Sequence, residues 1–175
     1  MTDTALLEQQ IAINAPVQNV FAVVANLENF PRYGHKVSDA TKIGDAMMVT
    51  YSPKVPGLNL TLPISFRFKV SLADVQESTA VTMDMDGLIK GTARWNLEDQ
   101  GSSTLLKVSI NYQLSVDAIR SALGGGSDKG DFSGKIGNAV GGIANGVARV
   151  ISPLLTTNSS NVMQALVNIK RLSED

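Results

Sequence analysis

The chain has 175 residues, a net charge of −1 and no cysteine, and 43% of its residues are hydrophobic. That length suits one domain with a core of its own. The near-neutral charge excludes the basic stripe that nucleic acid needs, the lack of cysteine excludes disulfides and thiolate chemistry, and no run of about 18 apolar residues is present to span a bilayer as a helix.

Met1-Thr2-Asp3-Thr4 lacks the basic start and long apolar run of a signal peptide, so a cytoplasmic address is expected. Ile11 and Ile13 then alternate with Ala12 and Asn14, the period of a half-buried strand. Asn14 suits a helix cap, and Pro16 suits a first helical turn because its missing N–H is an orphan there. Val17, Val20, Phe21 and Val24 repeat at helical spacing. Asn26 is placed to cap a second short helix, which Pro31 is expected to end.

From Val37 to Val116 apolar residues mostly alternate. Met47, Val49 and Tyr51 share one face. Leu60, Leu62, Ile64, Phe66, Phe68, Val70 and Leu72 share another, opposed by Thr61, Ser65, Arg67, Lys69 and Ser71. Val81, Met83 and Met85 oppose Thr82, Asp84 and Asp86. Ile89, Gly91, Ala93, Trp95 and Leu97 oppose Lys90, Thr92, Arg94, Asn96 and Glu98. Leu106, Val108, Ile110, Tyr112 and Leu114 oppose Lys107, Ser109, Asn111 and Gln113. One apolar and one polar face per strand means an antiparallel sheet wet on one side. Asp86-Gly87 and Gln100-Gly101-Ser102 read as hairpin turns. From Ser160 to Leu172 the period returns to helical, with Val162, Leu166, Ile169 and Leu172 in one stripe.

Asn14-Ala15-Pro16-Val17-Gln18-Asn19-Val20-Phe21, followed by Ala25-Asn26-Leu27-Glu28-Asn29-Phe30-Pro31-Arg32-Tyr33, resembles the opening of the START-like superfamily. That superfamily takes in polyketide cyclase/dehydrase-like proteins, coenzyme Q-binding proteins and one of the carbon monoxide dehydrogenase gene-cluster families. Asn26 stands where those families usually carry Asp, a replacement that keeps the capping oxygen. The resemblance extends over the strand series and the last helix. It implies an α+β helix-grip fold: a curved antiparallel sheet of about seven strands wrapped around a long C-terminal helix, with two short helices after the first strand. It implies a single domain over residues 1–175 and, in relatives, a cavity between sheet and helix, the default ligand site.

By alternation and helical stripe, the candidates to line such a cavity are Tyr51, Phe66, Phe68, Met83, Met85, Trp95 and Tyr112 from the sheet and Met163 and Leu166 from the helix, with Met47, Val108, Val162 and Ile169 beside them. Plain core gives the same pattern. Inward polar chemistry amounts to Tyr51, Tyr112 and the Trp95 indole, each of which needs a hydrogen-bond partner when buried. The single histidine, His35, falls in the loop after the short helices, either at a cavity mouth or simply solvated. Arg32 and Lys54 are candidates to meet a ligand's anionic end at the rim, or else serve solubility. No catalytic set, metal site or resident cofactor is expected.

The departure from the family is a Gly-rich insertion at about 122–150. Most of the chain's 15 glycines lie between Gly124 and Gly146. Gly124 to Asp131 reads as a flexible linker. Phe132, Ile136, Val140, Ile143, Val147, Val150 and Leu154 then form a helical stripe, which Pro153 interrupts before the last helix. Three roles are open to it: a lid over the cavity mouth, a quiet packed extension, or transient membrane contact through Phe132–Leu155. A strong interfacial helix would carry more Lys and Arg on its polar face.

The sequence therefore leads to non-enzymatic binding or transport of a hydrophobic small molecule: a lipid, quinone, isoprenoid or polyketide-like aromatic. The alternatives are a polyketide cyclase or dehydratase, which needs placed proton donors and acceptors, and an assembly factor acting on a protein partner.

Overall fold

The computed structural model describes residues 5–34, 37–51, 66–115 and 159–175. Strand β1 (Ala5–Ile13) leads into helix α1 (Val17–Ala25), a 3-10 turn at Leu27–Asn29 and the short helix α2 (Phe30–Tyr33). Six strands follow: β2 (Val37–Ile43), β3 (Ala46–Tyr51), β4 (Phe66–Gln76), β5 (Ala80–Gly87), β6 (Ile89–Asp99) and β7 (Thr104–Leu114). Helix α3 (Ser159–Glu174) is the last element. All strand pairs are antiparallel and build one seven-stranded sheet in the order β1-β7-β6-β5-β4-β3-β2. The curved sheet grips α3, which is the helix-grip architecture. The Gly-rich insertion, the Phe132–Leu155 segment, Leu60, Leu62, Ile64, His35 and Lys54 lie outside the described residues.

Alternation sets the two faces. In β6 Ala93, Trp95 and Leu97 are buried while Thr92, Arg94 and Glu98 are not, and in β7 Leu106, Val108 and Tyr112 are buried. Helix α1 closes one end of the sheet with Val17, Val20 and Val24, all in the same core as Ile13, Leu106, Leu166 and Ile169. Sealing this end, the Thr104 hydroxyl donates to the Ala15 carbonyl at 2.8 Å, fully buried.

Four local expectations are corrected. Asn14 does not cap α1. Pro16 occupies the cap position without a side-chain bond, and the Asn14 N–H instead donates to Glu174 Oε1 at 2.7 Å. Pro31 does not end a helix. It sits in the first turn of α2, where its missing N–H breaks no bond, while the Asn26 side chain caps the preceding 3-10 turn by accepting from the Glu28 N–H. Leu72 is 38% exposed rather than inward, because the β4–β5 register shifts between Leu72 and Asp74 and the irregularity turns the side chain out. Asp86-Gly87 is not a simple two-residue turn. The last β5–β6 pair is Met85 with Gly91, and Leu88 dips into the core at 2% exposure between them. Its N–H donates to the Arg67 carbonyl and its carbonyl accepts from the Ser115 N–H, tying β4 to the end of β7.

The far end of α3 is fastened to β1 by charge. Lys170 Nζ donates to the Ala12 carbonyl at 3.2 Å and pairs with Glu174, whose Oε1 also receives the Asn14 N–H. The Lys170 ammonium and the Asn14 N–H together hold the Glu174 carboxyl below its ordinary value of 4.5. A carboxyl depressed in the folded state stabilises above its unfolded pKa and loses that contribution as pH falls through the folded one. The Glu174→Gln variant is therefore expected to be less stable than the parent at neutral pH, with the gap closing as pH drops below about 4.5. Urea midpoints of both proteins across that range check it. A gap that does not change with pH would mean that the carboxylate charge contributes nothing. The site is solvent-exposed, so the gap is small.

Candidate ligand-binding cavity

The cavity begins with three rows across the inner face of the sheet. Met85 pairs with Gly91 and Gly91 with Tyr112; Met83 pairs with Ala93 and Ala93 with Ile110; Val81 pairs with Trp95 and Trp95 with Val108. Strand β6, at the middle of these rows, thus presents no side chain, then a methyl, then an indole. Protein interiors are close-packed, so small residues flanked by large ones on a concave face leave a hollow unless another element fills it. Helix α3 fills only part of it, and about 190 Å³ remains.

The wall is assembled from every layer. Phe30, Tyr33 and Gly34 come from α2 and its exit, Val37 from β2, Phe68 and Val70 from β4, Met83 and Met85 from β5, and Ile89, Ala93 and Trp95 from β6. Ile110, Tyr112, Leu7 and Leu88 complete the sheet side, and Asn161, Val162 and Ala165 come from the first turns of α3. Of the residues expected from sequence, Phe68, Met83, Met85, Trp95, Tyr112 and Val162 stand in this wall. Tyr51 and Phe66 pair with each other across β3 and β4, and their side chains lie outside the description. Met163 and Leu166 do not reach the cavity. Leu166 is fully buried in the core with Ile169, and Met163 packs against that core. The reason is axial: the cavity ends beside the first turns of α3, and from Leu166 onward the same stripe packs on the sheet and α1. Met47 and Val108 likewise are core. Tyr33, Leu88 and Ala165 were missed. The legible signal was the pair of small inward residues, Gly91 and Ala93, on an otherwise bulky strand.

Polar groups in the wall are few. Tyr33 is 1% exposed, with its ring edge-on to Phe30 at 5.4 Å and to Trp95 at 6.0 Å. Its hydroxyl reaches the Met83 sulfur at 3.9 Å, a weak acceptor. Burial pushes the Tyr33 phenol well above its ordinary value of 10.0 and pushes Tyr112 in the same direction. Both therefore stay protonated at neutral pH and act as donors, not bases. The Trp95 indole N–H is buried with no acceptor. Asn168, on α3, donates to the Tyr33 carbonyl at 3.3 Å and holds α2 against the helix. Among the described wall residues none is Asp, Glu, Lys, Arg or His, and among the described residues no acidic, histidine or cysteine cluster is arranged to hold a metal. Arg32 is engaged with Asn29 outside the cavity. Such a wall solvates apolar carbon and offers two or three fixed donors.

A curved sheet closed on a C-terminal helix over an apolar hollow defines a small-molecule-binding class of domain. Residues 4–150 match the family described as polyketide cyclase / dehydrase and lipid transport, and the chain belongs to that family. The chain has no match among curated proteins. Solved structures share the fold. A conserved protein from Geobacillus kaustophilus is 10% identical, with a TM-score of 0.58 over 98% of this chain and 95% of its own. A truncated norcoclaurine synthase from Thalictrum flavum is 16% identical, with a TM-score of 0.55 over 98% of this chain and 94% of its own. The Zhui aromatase/cyclase from Streptomyces sp. R1128 is 11% identical, with a TM-score of 0.54 over the same shares. At these identities the likeness is one of fold.

Proposed function

We propose that the protein binds and carries, or senses, a hydrophobic small molecule in the cavity between the sheet and α3, without transforming it. The observation that carries this reading is the chemistry of the wall: aromatic, aliphatic and thioether groups, with neutral donors and no acid–base pair among the described residues. Methionines at positions 83 and 85 adapt to irregular ligand shapes. Membership of a family that spans cyclases and lipid transporters supports ligand binding and leaves both chemistries open. Proton-transfer catalysis needs a group that gives up or takes a proton near neutral pH, and burial moves both wall phenols away from that range. No helix among the described residues is long and apolar enough to cross a membrane.

The test is to denature the purified protein, extract it into organic solvent and compare the extract by mass spectrometry with an empty-host control. A stoichiometric lipid, quinone, isoprenoid or aromatic polyketide is the expected result and would name the ligand class. A clean extract together with no binding to a panel of such molecules would sink the carrier reading and move weight to a protein partner.

A further inference from the structure

We infer that the cavity selects an uncharged apolar molecule bearing a carbonyl-type oxygen, and that the Trp95 indole N–H, with the Tyr33 hydroxyl beside it, is the anchor for that oxygen. This rests on the ligand-carrying reading above and adds what the ligand must present. A buried indole N–H without an acceptor is uncommon, since buried donors are nearly always paired and an unpaired one is destabilising. Trp95 is 4% exposed and its Nε1 has no partner. The neighbouring phenol, ring to ring at 6.0 Å, has only a sulfur at 3.9 Å. Two neutral donors, poorly satisfied and adjacent, face a hollow lined by carbon. An oxygen acceptor on the ligand would satisfy both, after a small displacement of the wall, and Met83 is the side chain there that shifts most readily.

The same wall discriminates against charge. A carboxylate brought into it would meet no cation among the described residues, and an unpaired buried charge is strongly disfavoured. A plain hydrocarbon of equal shape would leave the indole donor unpaired. The expected order of affinity is therefore ketone above hydrocarbon above carboxylate.

The chain has one tryptophan, so a ¹H–¹⁵N spectrum contains a single indole signal that needs no assignment. Three tricyclic probes of matched shape are used: 9-fluorenone, fluorene and fluorene-9-carboxylate. Fluorenone is expected to bind about tenfold more tightly than fluorene, the difference one well-made hydrogen bond to a buried donor provides, and to move the indole proton downfield. Trp95→Phe is expected to keep fluorene binding and lose the preference for the ketone. Should that variant fold poorly, Tyr33→Phe and the parent comparison carry the test. Equal binding of fluorenone and fluorene with an unmoved indole signal overturns the anchor while the carrier reading stands. Carboxylate binding as tight as ketone overturns the selection for neutral ligands. Failure of all three probes to bind removes the carrier reading, and the inference with it.

Discussion

Gly91→Ala is expected to cost about 3–5 kcal/mol, enough to unfold a large fraction of the molecules of a domain of ordinary stability. Gly91 has φ +151°, and a Cβ built there lies 2.0 Å from the Asn111 carbonyl oxygen and 2.7 Å from the Tyr112 Cα. Both neighbours are backbone of the paired strand β7, so neither can rotate away. The added methyl must push β6 from β7, which breaks ladder bonds at the centre of the sheet and displaces Tyr112 from the cavity wall. Gly101, in the β6–β7 turn, is the control. Its φ is +85° but nothing lies within 4 Å of its built Cβ, so Gly101→Ala meets backbone strain alone, about 1–2 kcal/mol. Urea denaturation of both variants separates collision from strain. Equal losses would mean that β7 yields freely and that the sheet is softer at its centre than the register implies.

Ala165→Phe is expected to weaken binding of any cavity ligand at least about tenfold while leaving stability unchanged or raising it by about 1 kcal/mol. Ala165 faces the hollow from α3, one turn beyond Asn161 and Val162. A phenyl ring there projects into space that is otherwise unfilled, so it gains contacts in the free protein and competes with the ligand for them. Titration with whichever molecule the extract identifies, alongside a thermal melt, reads the two effects at once. Binding at parental strength in a folded variant would place the ligand elsewhere on the molecule. Leu166→Ala is the contrasting change: Leu166 is fully buried in the core outside the wall, so it should reduce stability by about 2–5 kcal/mol and leave the affinity of the remaining folded protein largely intact.

Much of the fold is written in local periods. The alternation of β6 and β7, the valines of α1 and the stripe of α3 each report their buried face without help from the rest of the chain. The misreadings share one cause, which is dependence on a partner distant in sequence. Leu72 keeps the apolar period of its strand, and only the slip of β4 against β5 turns it outward. Leu88 has the position of a turn residue and becomes core because two non-adjacent strands claim its backbone. Leu166 has the same period as Val162, and how far the hollow extends along α3 decides which of them reaches it. The hollow itself is a difference between what the sheet encloses and what the helix fills. Hydropathy does not encode that difference, although the step from Trp95 to Ala93 to Gly91 hints at it.

The sheet order has a consequence for how the chain reaches this state. The only sheet neighbour of β1 among the described strands is β7, with Ala5 opposite Tyr112 and Ile13 opposite Thr104. The clamp on that strand comes from Lys170 and Glu174, near the other end of the chain. During synthesis the first strand therefore emerges long before either of its partners exists. Such non-local closure places folding in the slow range of milliseconds to seconds, and it leaves an apolar strand edge waiting on the ribosome, where other chains compete for it. The residues that complete the grip at the end of translation are thus also those that end the chain's most aggregation-prone interval.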